Sequence, residues 1–130
     1  MEKIINKILE HQTILKNIYY EKMDKLREEF DFNNPTPTFE KLKNYIIEME
    51  TELIRHFEFQ EELRNSKTES IILENMLVKE ILLRMCQKIF QGAVSQNPDI
   101  FQLFEDFEEI FKAYLAKERG RFIQELKEVL

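Results

Sequence analysis

Residues 97–126 read NPDIFQLFEDFEEIFKAYLAKERGRFIQEL. Asn97 is a residue type that caps helix starts, and Pro98 suits the first helical position, where the backbone N–H has no partner to lose. Asp99 follows in the first turn, where the helix dipole favours an acid. From there Ile100, Phe101, Leu103, Phe104, Phe107, Ile110, Phe111, Tyr114, Leu115, Phe122 and Leu126 recur at three- and four-residue intervals, the period of one buried helix face. The stretch predicts a helix over about 98–130. Its row of phenylalanines has the spacing of core packing rather than of a cofactor wall.

Three further segments carry the same period. The first, about 2–31, places Ile4, Ile8, Leu15, Ile18, Tyr19, Met23, Leu26 and Phe30 on one stripe, and Asn33-Asn34-Pro35-Thr36-Pro37 ends it, because proline neither donates nor tolerates a helical neighbour before it. The second, about 37–65, starts with Thr36 as N-cap and Pro37 at the first position, and its stripe is Leu42, Tyr45, Ile46, Met49, Leu53, Phe57 and Leu63. The third, about 67–92, opens on the capping-box pattern Ser66-x-x-Glu69. Its apolar positions, Ile71, Ile72, Leu77, Val78, Ile81, Leu82, Met85, Cys86, Ile89 and Phe90, cover a broad arc, which predicts the most buried helix, and Gly92 followed by Ser95-Gln96 ends it. Two glycines and three prolines in 130 residues are too few turn residues for a chain of hairpins. The pattern predicts an all-α fold, a single domain over 1–130 built as an antiparallel up-down-up-down four-helix bundle with short links.

Bulk properties narrow the function classes. With 43% apolar and 34% charged residues the chain can bury a core. The net charge is −6, with both signs interspersed, so neither nucleic acid nor a membrane surface is an expected partner. A lone Cys86 allows no internal disulfide and no cysteine-bound zinc, and beside Met85, Ile89 and Phe90 it reads as a buried, inert thiol. The N-terminal MEKIINKILEHQ is interrupted by charges, unlike a signal peptide. No apolar run approaches the roughly 18 residues of a membrane span, and a cytoplasmic location is expected. There is no Ser-His-Asp or Cys-His arrangement, phosphate loop or dinucleotide fingerprint, so an enzyme is not expected. Glu61-Glu62 and Glu108-Glu109 read as solvated faces.

The informative residues are polar ones on apolar stripes. His11 lies three after Ile8 and four before Leu15; His56 lies three after Leu53, and Gln60 four after His56. Asn75 lies between Ile71 and Val78, and Glu118 between Tyr114 and Phe122. In an up-down bundle, His11, His56, Asn75 and Glu118 fall roughly 12 to 18 Å from the same end, at a rise of about 1.5 Å per residue. Unpaired buried polar groups cost about 1–3 kcal/mol each, so such a layer needs mutual hydrogen bonds, a water or a metal to satisfy it.

Around His56, the run Ile54-Arg55-His56-Phe57-Glu58-Phe59-Gln60-Glu61-Glu62-Leu63 resembles the second helix of the hemerythrin-like (HHE cation-binding) proteins. That family is an antiparallel four-helix bundle holding a non-haem di-iron centre. The resemblance implies metal ligands at His11 and His56, with Gln60 on the bridging glutamate, Glu61 as the following acid, and Asn75 and Lys79 near the third-helix histidines. Tyr114-Leu115-Ala116-Lys117-Glu118 reads as the His-x-x-x-Glu motif of the fourth helix with tyrosine in place of histidine. Because amides bind iron weakly, a degenerate centre is expected. It is either a mononuclear iron site on His11, His56 and Glu118, with Gln60, Glu61, Asn75 and Tyr114 as further donors, or a metal-free polar core.

Two functions follow. One is binding or sensing of a metal or a diatomic gas through a reduced or vestigial iron site. The other is a metal-free helical interaction module (an adaptor, inhibitor or immunity-type protein) that meets a protein partner or forms a homodimer, with Tyr20 and Phe59 as candidate contacts. Gly120, beside the candidate site, either permits a close backbone approach or simply weakens its helix.

Overall fold

The computed structural model describes all 130 residues, and they form helices joined by short links, with no strand. Helix α1 runs Glu2–Lys16, continues through a π-helical stretch, Asn17–Met23, and ends in the short α-turn Leu26–Glu29. Helix α2 is Thr36–Glu62 and α3 is Glu69–Val94. Helix α4 runs Ile100–Lys117, passes through a second π-helical stretch, Glu118–Phe122, and finishes as Ile123–Val129. Phe30 turns extended (ψ 125°) ahead of Pro35, so the first break falls where the prolines put it.

The caps are less regular than the sequence suggests. Thr36 does not cap α2; its hydroxyl reaches Gln96 Oε1 at 3.2 Å. The capping box of α3 sits one residue earlier than Ser66–Glu69. Asn65 Oδ1 accepts from the backbone N–H of Lys67 (2.7 Å) and Thr68 (3.1 Å), while Thr68 Oγ1 accepts from Asn65 N–H at 2.8 Å. The reciprocal pair is Asn65–Thr68, and the fully buried Thr68 also donates to Leu63 O. Asn97 and Pro98 fall in the turn before α4, whose cap position is Asp99 with no side-chain bond, and Asn97 Oδ1 accepts from Asp99 N–H at 3.0 Å.

Gly92 does not end α3. It lies inside the helix, and the positive-φ position falls on Gln96 (φ 53°). Asn97 N–H returns to Gly92 O and Gln96 N–H to Ala93 O, which is a Schellman closure with glutamine at the left-handed position. Gly92 is required for space instead, since a Cβ there would stand 1.7 Å from Ile100 Cγ2. The missing side chain lets the start of α4 lie against the end of α3.

One large core runs through the molecule, with Leu15, Tyr19, Leu42, Ile46, Met49, Leu53, Phe57, Leu82, Cys86 and Ile89 among its members. The phenylalanine row of α4 is core packing. Phe104, Phe107 and Phe111 are buried, and Tyr19 stacks on Phe107 with ring centroids 5.5 Å apart. Burial holds the Cys86 thiol protonated well above its ordinary range. A smaller cluster of Ile8, Ile72, Phe122, Ile123 and Leu126 closes the other end. Contacts between helices join Lys22 to Glu48, Tyr19 to Phe104, and Glu74 to Lys117 and Arg121.

Helix α3 is not the most buried helix. Leu77 is 69% exposed, with Leu73 at 47% and Ile81 at 45%, so the broad apolar arc has an outward part that the bundle leaves uncovered.

Two substitutions test the α3–α4 corner. Gly92→Ala forces overpacking against Ile100 and is expected to cost about 1–3 kcal/mol. Gln96→Gly relieves a left-handed residue and is expected to gain about 1 kcal/mol. Urea midpoints of the two variants against wild type give both signs.

Candidate functional site

Where Glu118 opens the second π-helical stretch, its carboxylate is 1% exposed. A buried carboxylate is costly unless charge-assisted hydrogen bonds replace its water. Four donors do so here. Gln12 Nε2 reaches Oε1 at 2.9 Å; His56 Nε2 reaches Oε2 at 2.7 Å; the Gln60 amide and the Tyr114 hydroxyl donate to the same Oε2. Both Glu118 oxygens are acceptors, which is the role of a carboxylate. Burial first, then the neighbouring Glu118, pushes the Tyr114 hydroxyl well above the ordinary phenol value, keeping it a donor.

A second ring surrounds the first. Asn75 Nδ2 donates to Gln60 Oε1 at 3.0 Å, and Gln12 Nε2 also donates to Leu115 O at 3.0 Å. His56 Nδ1 lies 3.3 Å from Nδ1 of the half-buried His11. Between two ring nitrogens one hydrogen must serve both, one nitrogen donating and the other accepting. His11 in turn meets Phe59 edge-on, and Lys7 Nζ sits 4.3 Å from the centre of that ring.

Of the residues singled out from sequence, His11, His56, Gln60, Asn75, Tyr114 and Glu118 meet in this one layer. Glu61 does not, because it points outward and pairs with Arg64 Nη2 at 2.7 Å on the surface. Lys79 is likewise outside the hydrogen-bonded group. Tyr20 and Phe59 are half-buried against the cores rather than free apolar contacts. Gly120 makes no close approach, since a Cβ there would meet nothing within 4 Å. The residue missed was Gln12. It stands four after Ile8 and three before Leu15, both buried, a spacing at least as inward as that of His11.

His56 Nε2, Gln60 Nε2 and the Tyr114 hydroxyl converge on Glu118 Oε2, and His11 stands outside that group. His56 turns Nε2 to Glu118 and Nδ1 to His11, so the three side chains stand in file, and two of the remaining donors are weakly ligating amides. No three His, Cys, Asp or Glu side chains gather in a metal-holding arrangement. As placed, the set forms one hydrogen-bond network.

Removing Glu118 leaves four donors without their acceptor, so Glu118→Ala is expected to cost about 3–5 kcal/mol. Tyr114→Phe removes one donor and is expected to cost about 1–2 kcal/mol. Equal losses in urea unfolding would count against a network centred on Glu118.

pH supplies a second test. Burial, then the charges of His56 and Lys7, lowers the His11 pKa from 6.5, against opposing pulls from Glu52 and Glu118. A histidine with a lowered folded value binds fewer protons folded than unfolded, so stability is lost as pH falls below 6.5. Wild type is expected to lose stability between about pH 7.5 and about pH 5.5, and His11→Asn to lose less over the same interval, read as the shift in urea midpoint.

The chain matches no protein-family model, no curated protein and no solved structure, so the geometry of this cluster and of the surface around it is what bears on function.

Proposed function

We propose that this chain is a hemerythrin-like, antiparallel up-down-up-down bundle in which a closed hydrogen-bond network stands in place of a metal centre, and that it works as a metal-free interaction module. The topology is supported by the pairs that touch across helices: 12 with 118 and 19 with 104, 11 with 56 and 22 with 48, 36 with 96 and 60 with 75, 74 with 117 and 92 with 100. In each series one number rises as the other falls, as neighbours of opposite direction require. The hemerythrin-like ancestry is supported by the layer itself, which collects His11, His56, Gln60, Asn75, Tyr114 and Glu118 of the positions the resemblance singles out, Glu61 and Lys79 lying outside it.

The observation that carries the functional reading is the outward ridge of α3. Leu73, Leu77 and Ile81 are exposed at intervals of four, and rows of that spacing pack into the grooves of a second helix at about −50°. The partner that fits is a second copy of the chain. A two-fold axis at Leu77 sets Leu73 against Ile81 and brings Glu69 of one copy towards Arg84 of the other. Glu69 and Arg84 are exposed, and neither belongs to any ion pair of the single chain. The ridge is small beside the roughly 800 Å² per partner of a standard interface, so association in the micromolar range is expected.

Sedimentation across a concentration series is expected to show a reversible dimer that Leu77→Arg abolishes without loss of thermal stability. A monomer at every concentration up to about 100 μM (some −5.5 kcal/mol of association) sinks the self-association. Metal analysis of protein purified anaerobically with added iron addresses the other reading, because His11, His56 and Glu118 do share one depth. Substoichiometric metal, unchanged in His56→Ala, is expected. Stoichiometric iron or zinc lost in His56→Ala would replace the metal-free reading with a metal-binding one.

A further inference from the structure

Between α1 and α4 lies a surface recess of about 370 Å³, lined by Lys16, Tyr20, Lys112, Leu115, Ala116 and Arg119. Every charged residue in that lining is basic, on a chain whose net charge is −6. None of the three cations takes part in any of the chain's ion pairs. The largest other recesses are unlike it. One pairs Glu109 with Lys117, and another mixes Lys7 and Arg55 with Glu58 and Glu62. Glu108 lies beside Tyr20 but outside the lining; like charges without an ion-pair partner repel, and a bound anion relieves that repulsion.

Backbone geometry points to the same place. The two π-helical stretches, Asn17–Met23 and Glu118–Phe122, each contribute one residue to the lining, Tyr20 from the first and Arg119 from the second. A π-turn is less favourable than the α-turn it replaces and concentrates at functional sites. Each begins beside the recess, after Lys16 and after Lys117. The floor is apolar, with buried Leu115 beside Ala116, and the half-buried Tyr20 ring forms a wall. The volume lies in the range of small-molecule sites.

We propose that this recess binds a small organic phosphate, its phosphate held by Lys16, Lys112 and Arg119 and its apolar or aromatic body laid against Tyr20 and Leu115. Arg119 offers a planar fork of donors to the phosphate oxygens, and the two lysines act as mobile point charges. The site is distinct from the polar layer, which it adjoins through Leu115, whose carbonyl holds Gln12. It is distinct also from the α3 ridge.

The test titrates the full chain with phenyl phosphate, inorganic phosphate and benzyl alcohol, followed by amide chemical shifts in NMR. Phenyl phosphate is expected to saturate, moving resonances of residues 16–20 and 112–119, and to weaken as salt screens the cations. Inorganic phosphate is expected to bind about tenfold more weakly, and benzyl alcohol not to bind. Lys112 and Arg119 are exposed, so Lys112→Gln with Arg119→Gln removes charge without touching the core and is expected to weaken phenyl phosphate at least about tenfold. Lys3→Gln, exposed at the start of α1 and away from the α3 ridge, is the control and is expected to change nothing. The proposal is overturned if no probe saturates, if inorganic phosphate binds as tightly as phenyl phosphate, or if the control loses as much affinity as the double variant. Because the variants leave the α3 ridge intact, loss of phosphate binding and loss of dimerisation are separate results.

Discussion

A buried carboxylate must be answered from every side, and in this chain the answers come from all four helices. Glu118 on α4 takes donors from α1 (Gln12), α2 (His56 and Gln60) and its own helix (Tyr114), and Gln60 passes the constraint to Asn75 on α3. Apolar packing alone is tolerant of register, because a leucine slipped by one turn still finds apolar neighbours. A hydrogen bond lost inside a low-dielectric core finds no substitute. The layer therefore sets which turn of each helix stands beside which turn of its neighbours, and the phenylalanine core fills the length that this alignment leaves. The same logic gives His56 a fixed orientation. Its two nitrogens are committed in opposite directions, and rotating the ring to serve another ligand would break two contacts at once.

Much of this was legible in the sequence because helical periodicity is a strong signal when it runs over many turns. Four segments, their approximate limits and the inward positions of His56, Gln60, Asn75, Tyr114 and Glu118 all follow from three- and four-residue spacing. What was less legible depends on contacts that spacing does not encode. The capping box moved from Ser66–Glu69 to Asn65–Thr68 because the Asn65 amide and the buried Thr68 hydroxyl close on each other and on Leu63. Gly92 is needed by a residue eight positions on, Ile100, and not by its own backbone. Gln12 and the neighbouring His11 have almost the same inward spacing, and only packing in three dimensions buries the glutamine and leaves the histidine half-buried. The π-turns leave no trace in composition, and Gly120 is the one local hint of a weakened helix at the second of them.

The breadth of the apolar arc on α3 shows how hydropathy can be read wrongly. An arc wide enough to suggest burial on all sides fits equally a helix with two separate apolar faces, one for the core and one for a partner. The two cases differ in what lies between the faces. On α3 the outward residues are flanked by Glu69, Glu80, Arg84 and Lys88, charges that a fully buried helix would have to leave unsolvated. Those charges, read together with Leu73, Leu77 and Ile81, separate a core stripe from a surface ridge. A closed polar layer points the same way. Its buried donors are already engaged with one another and only His11 reaches a surface recess, so the larger surfaces that can meet another molecule lie outside, on the α3 ridge and in the basic recess between α1 and α4. The recess touches the layer through the Leu115 carbonyl that Gln12 holds and through Arg119, the residue next to Glu118, and a ligand there would act on the interior through these two backbone positions.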